Sequence, residues 1–262
     1  MGFIEDIEDM PNQYEYSLQF YNRYYRPEYT TIVLVGDVKR DEALSMTKKY
    51  FGAWKRGTYV PEIPSEADQK EPRENHVDWP SETLPLIYVA FRGPAYSDYK
   101  KDKATLDLLA PLAFGENSDL YQKLVLQEQK AEELSFSFDD HVDPELFYVS
   151  AKVKDSKDMD YVRQQILDTY KRYSTEAVPQ AKLDSTRSRL RYEFALSMNS
   201  SEAIATSLAS YIGLRRTPLT IDKLFALYDT ITPSDIKDTA RRYFVDSHRT
   251  IVTLNTKKEV AK

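Results

Sequence analysis

RYYRPEYTTIVLVGD, Arg23–Asp37, and RYFVDSHRTIVTLNT, Arg242–Thr256, are the two stretches on which the fold reading turns. Aligned without a gap, Arg23 falls on Arg242, Tyr24 on Tyr243, and Thr31-Ile32-Val33 on Thr250-Ile251-Val252. Each copy reads as a helix end carrying Arg-Tyr-aromatic, a short turn and a β-branched strand. The repeat predicts that the second copy closes a domain opening near Leu84. The first copy stands so near Met1 that most of its own domain is expected ahead of residue 1.

Around the first copy, Tyr16, Phe20 and Tyr24 recur every four residues, which predicts a helix over 12–25 with a core-facing stripe. Pro27 ends it, because the residue before a proline avoids the α region. Thr30–Val35 predicts a strand, closed by Gly36-Asp37. Leu44, Thr47, Tyr50, Phe51 and Trp54 predict one face of a helix over 41–54. MGFIEDIEDMP at the start shows no helix or strand pattern. Pro61, Pro64, Pro72 and Pro80, set among charged residues, predict a linker. The division is residues 1–57 as the tail segment of a first α+β domain, 58–80 as linker and 81–262 as a second α+β domain. A helix–strand–helix of that size has too little core to stand alone, so it is expected to pack against the second domain or another chain.

In the second domain, strands are expected over 84–91, 134–138, 146–153 and 250–254. Phe147, Val149, Ala151 and Val153 alternate with Tyr148, Ser150 and Lys152, the pattern of a sheet with one covered face. Helices are expected over 100–114, 118–129, 179–198, 201–214 and 221–228. One more is expected along the stripe Val162, Ile166, Leu167, Tyr170 and Tyr173. Thr232-Pro233-Ser234-Asp235 predicts a helix start with Thr232 as N-cap. The fold class is α+β, helices packed on a mostly antiparallel sheet.

Composition removes several functions. The formal net charge is -6, which disfavours nucleic acid, since phosphate binding draws on surplus Lys and Arg. There are only 7 glycines and no glycine-rich phosphate loop. No cysteine is present, which excludes thiol catalysis, disulfides and cysteine-ligated zinc. No apolar run approaches the ~18 residues of a membrane span. The compartment stays open between cytoplasm and periplasm.

The stretch through Arg23–Asp37, the helix end KKYFGAW and the proline-rich linker resemble the end of the first domain of insulinase-like (pitrilysin) zinc metallopeptidases. PLIYVAFRGPAYSD, ENSDLYQKLVLQEQKAEELSFSF and DPELFYVSAKV resemble the opening of that family's second domain. The resemblance covers nearly the whole chain and implies paired α+β domains facing one another across a chamber. It places zinc and the water-activating glutamate in an inverted H-x-x-E-H motif of the first domain, ahead of residue 1. No such motif occurs here: His76, His141 and His248 stand alone in sequence. His141 lies in DDHVDPE, which reads as a hairpin turn set by Asp143-Pro144, while His76 falls in the linker and His248 in the last turn. Some relatives hold substrate with an arginine and a tyrosine that would fall on Val125 and Glu132, and neither is retained.

The resemblance therefore implies no catalytic residue, no metal ligand and no cofactor in this chain. It implies a non-catalytic half that forms part of a peptide-binding chamber. The expected partners are its own N-terminal catalytic domain or a second subunit, a peptide substrate, and a second copy in a homodimer. An inactive structural subunit of a peptidase complex and a Tyr-rich interaction module are the alternatives.

Overall fold

The alternation in Leu146–Val153 sorts its side chains as expected: Phe147, Val149, Ala151 and Val153 are buried, while Tyr148, Ser150 and Lys152 are half-buried. This strand is β4 of a five-stranded sheet in a computed structural model that describes residues 3–257. The others are β1 (Arg73–Trp79), β2 (Leu86–Arg92), β3 (Ala131–Ser137) and β5 (Arg249–Thr256), in the order β1-β5-β2-β4-β3. Only the β1–β5 pair is parallel. The sheet is thus mostly antiparallel, and the class is α+β.

The helices are α1 (Ile4–Glu8), α2 (Tyr14–Tyr24), α3 (Arg40–Phe51), α4 (Lys101–Phe114), α5 (Asp119–Tyr121), α6 (Met159–Thr175), α7 (Gln180–Ser197), α8 (Ser201–Arg215), α9 (Leu219–Thr230) and α10 (Pro233–Tyr243). Thr232 caps α10 as its sequence requires. Its Oγ1 accepts from the Asp235 N–H at 3.2 Å, and Asp235 Oδ2 accepts from the Thr232 N–H at 2.8 Å.

The described residues form two compact units, one running through Glu66 with Ser197–Arg216, the other comprising Ala67–Leu196 and the chain from Thr217 on. In the second unit, rings from five elements meet on the covered face of the sheet. Tyr170 of α6 lies 4.6 Å from Phe244, 4.7 Å from Phe91 and 4.7 Å from Phe114, centre to centre, and Phe147 lies 5.2 Å from Phe244. The Tyr170 hydroxyl, itself buried, donates to the Val89 carbonyl at 3.4 Å. Nearby, Tyr173 donates to the Leu112 carbonyl at 2.8 Å, tying α6 to the end of α4.

The first unit departs from the reading of its sequence. α2 has no buried residue; Phe20 is 44% exposed and Tyr16 58%, although Tyr16, Phe20 and Tyr24 do stack along one stripe. Leu44, Tyr50, Phe51 and Trp54 are exposed as well. Thr30–Val35 forms no strand, since no described strand pairs with it. The start, expected to lack regular structure, contains α1 and a 3₁₀ turn at Met10–Asn12. The unit's tightest local feature is Arg26, which is buried. Its guanidinium donates to the Tyr59 carbonyl at 2.5 Å and pairs with Glu28 at 3.3 Å.

Further differences concern boundaries. The 58–80 stretch is not linker throughout, because 73–79 is β1; its backbone finds a ladder on β5, which overrides the charged composition. α8 groups with the first unit, not with the second. The helix expected over 118–129 is α5 continued by a π-helix at Gln122–Gln127, and Gln129 then takes a left-handed φ of 52°. The echo between the two ends holds for the helix end and the turn, though not for the strand. α2 ends at Tyr24 and α10 at Tyr243, and 3₁₀ turns follow at Pro27–Tyr29 and Asp246–His248, all at the offset that sets Arg23 on Arg242.

Because Tyr170 joins four other rings and a strand carbonyl, Tyr170→Ala is expected to cost about 3–5 kcal/mol of unfolding free energy. Tyr170→Phe is expected to cost only about 0.5–1.5 kcal/mol, the lost hydrogen bond. Urea titrations of the three proteins measure both.

Candidate functional site

β3 is an outer strand of the sheet: its one ladder partner is β4, and its far side carries no strand among the described residues. Leu134 and Phe136 oppose Ala151 and Val149, so both point toward the helix-covered face. Ser135 opposes Ser150 on the other face, with the two hydroxyls 2.8 Å apart. Leu134 is buried, but Phe136 is exposed because nothing closes the edge beyond it. A cavity of about 420 Å³ opens there, with Leu134 and Phe136 on one side, Phe114 and Pro111 from α4 beneath, and Arg189 and Glu193 of α7 opposite.

The position of α7 is set by its other faces. Leu183 is fully buried. Arg187 donates to the carbonyls of Tyr228 and Ile231, each at 2.8 Å, and so satisfies the open C-terminal carbonyls of α9. Arg191 pairs with Asp229 at 2.6 Å. Lys182, Ser185, Arg189 and Glu193 recur at helical spacing on the remaining face. A smaller cavity of about 140 Å³ shares Pro111 and Arg189 with the first and adds Asn117, Lys182, Ser185 and Thr186.

At its far end β3 runs into the 138–145 loop, which a buried charge cluster holds. Lys103 of α4 is enclosed, with its side chain 3% exposed, and lies 2.5 Å from Asp107 and 2.7 Å from Asp140 of the loop. Its ammonium also lies 4.4 Å from the centre of the Phe138 ring, and Tyr228 donates to Asp107 at 2.9 Å. Burial acts to lower the Lys103 pKa, but the two carboxylates outweigh it and hold the ammonium above its ordinary range. Burial pushes the Asp107 carboxyl up even against Lys103. Gly93 lets the loop come this close: a Cβ there would lie 2.5 Å from the Phe138 ring. The Gly93 N–H donates to the Glu145 carbonyl at 2.7 Å, and the Tyr96 N–H to the His141 carbonyl at 2.9 Å.

The structure does not gather the three histidines. His76 lies on β1, not in a linker, with Nδ1 2.8 Å from the Thr253 hydroxyl and Nε2 3.5 Å from Asp78. His141 sits in the 138–145 loop 3.7 Å from Glu145, and His248 ends the 3₁₀ turn before β5. Among the described residues no three His, Cys, Asp or Glu side chains come together to hold a metal ion. Val125 lies on the π-helix, and Glu132 lies where the β3–β4 register shifts, 3.8 Å from Lys152. The β3 edge and its cavities had no signature in sequence, because they join residues far apart in the chain.

The chain belongs to the Peptidase M16 inactive domain family, which matches it over residues 13–190. Across 97% of its length it is 22% identical to the zinc protease PqqE of Helicobacter pylori, of which it spans 57%. The crystal structure of a protease from Helicobacter pylori superposes with a TM-score of 0.86 at 23% identity, covering 97% of this chain and 61% of that one. The crystal structure of a peptidase M16 inactive domain from Pseudomonas fluorescens superposes with a TM-score of 0.71 at 16% identity, covering 87% and 53%. No helix among the described residues is long and apolar enough to cross a membrane.

Removing the cation from the buried cluster strands two carboxylates. Lys103→Met is expected to cost about 3–5 kcal/mol near neutral pH. Asp107 titrates above its ordinary 3.8, so the folded state binds its proton more tightly than the unfolded chain does. The deficit of the variant should therefore shrink as the pH falls through the folded value of Asp107. Urea midpoints of wild type and variant at pH 7.5 and pH 5 test this, and a deficit that grows on acidification contradicts it.

Proposed function

We propose that this chain is the non-catalytic half of a zinc metallopeptidase and forms part of the wall of its peptide-binding chamber. Zinc and the water-activating glutamate belong, in this reading, to a separate domain ahead of residue 1 or on a partner subunit. The observation that carries it is the open β3 edge beside a cavity of mixed lining, Leu134, Phe136 and Pro111 with Glu116, Arg189 and Glu193, in a chain of the Peptidase M16 inactive domain family. An extended peptide would add to β3 as a further strand. Main-chain hydrogen bonds would hold it without regard to sequence, and alternate side chains would enter the cavity. The wall would contribute alignment of the substrate, while bond cleavage takes place elsewhere.

The first unit supports a partner of the same kind. Ile32, Leu34, Met46, Tyr50 and Phe51 are all exposed around one apolar hollow of about 490 Å³. A catalytic domain, whether joined to this chain or on a second subunit, would cover that surface.

Two measurements test the proposal. Metal analysis of the dialysed chain should find no stoichiometric zinc; one zinc per chain would overturn it. Thr-rich decapeptides containing one Phe should bind the chain by fluorescence anisotropy, and N-methylation of alternate peptide nitrogens should abolish that binding, since it removes the ladder donors. Equal binding of the N-methylated peptides rules out strand addition.

A further inference from the structure

We propose that Lys182 and Arg189 of α7 form a carboxylate subsite for a peptide lying along β3, adjacent to the larger cavity lined by Phe114, Leu134 and Phe136. The inference rests on the strand-addition reading above and adds a chemical class of substrate to it: peptides presenting a carboxylate next to an apolar side chain.

The smaller cavity is lined by two cations and by no Asp or Glu; its other polar walls are Asn117, Ser185 and Thr186. It shares Pro111 and Arg189 with the larger cavity, so the two are adjacent; the carboxylates Glu116 and Glu193 line the larger one alone. Side chains two positions apart on an extended peptide point the same way, about 7 Å apart. One would enter the larger cavity against Leu134 and Phe136, and the next on that side, or the chain end, would reach the cations.

Neither cation is used up by its present partner. Arg189 meets Glu193 at 3.6 Å, between side chains 35% and 65% exposed. Exposed pairs of this kind contribute little and exchange readily. Lys182 meets Asp119 at 3.0 Å, but Asp119 is shared with Arg172 at 3.2 Å, so one carboxylate serves two cations. That bond holds the Asp119 carboxyl below its ordinary range and orients Lys182. Arg189 offers a planar fork that suits a carboxylate, and both side chains stand on a helix held by Arg187 and Arg191 on its opposite side.

The test uses the 262-residue chain and fluorescein-labelled, Thr-rich decapeptides with one Phe. The residue two positions after Phe is Glu, Gln or Lys in peptides with an amidated C-terminus. A second series ends at that position with a free carboxylate or an amide. The carboxylate peptides are expected to bind about tenfold more tightly than their neutral counterparts. Lys182→Gln, outside the larger cavity, should erase that preference while leaving the affinity for neutral peptides unchanged, and Arg189→Gln, which also lines the larger cavity, should erase the preference whatever it does to neutral peptides. Both sites are surface-accessible, and thermal midpoints near wild type confirm that the variants are folded. A preference in the first series assigns the subsite to an acidic side chain, and a preference confined to the second assigns it to the chain end. Wild type that binds charged and neutral peptides alike overturns the subsite, as do variants that weaken all peptides equally or none. Absence of binding by every peptide overturns the strand-addition reading as well.

Discussion

Everything in the second unit depends on covering one face of a five-stranded sheet, and the rings around Tyr170 do most of that covering. Phe91 comes from β2, Phe147 from β4, Phe114 from α4, Tyr170 from α6, and Phe244 from the residue after α10. Offset and edge-on ring pairs add about 0.5–1.5 kcal/mol each beyond the area they bury. One cluster thus fastens three helices to two strands. The last strand, β5, must enter between β1 and β2, and Phe244 delivers the chain to that slot.

Polar contacts then position what the ring cluster does not reach. Arg187 closes the open end of α9 onto α7, and Lys103 fastens the 138–145 loop to α4. Both use charges buried among partners, which costs little only when each charge is matched. The result is an unequal pair of sheet edges. β1 carries Arg73, Glu74, His76 and Asp78, and Glu74 is paired with Arg163 at 2.6 Å. Charges of that kind discourage a further strand. β3 carries charges too, Glu132 and Glu133, but further along it borders a cavity with its Phe136 exposed.

The aromatic stripe on α2 shows how periodicity and burial part company. Tyr16, Phe20 and Tyr24 have the spacing of a core helix and do stack on one another, yet all three are exposed. The same holds for Thr30–Val35, which has the composition of a strand and no ladder among the described strands. Spacing states which residues share a face; whether anything covers that face is a property of other segments. The matching turns at Pro27–Tyr29 and Asp246–His248 show that the local fold repeats even where the packing does not.

Local chemistry was therefore legible in the amino-acid sequence alone. The alternation of β4, the N-cap at Thr232, the helix ends before Pro27 and Phe244, the α+β class and the lack of a paired histidine motif all follow from neighbours within a few residues. The sequence order of these segments also carried the resemblance to insulinase-like peptidases. Only the tertiary structure decided that 73–79 is a strand, because that depends on an empty place beside β5. It alone closed Lys103 between Asp107 and Asp140, and it alone set Arg189 across a cavity from Phe136. Those groups meet through chain crossings of up to 180 residues or so, and no local pattern records which distant backbone will offer a ladder, a counter-charge or an open side.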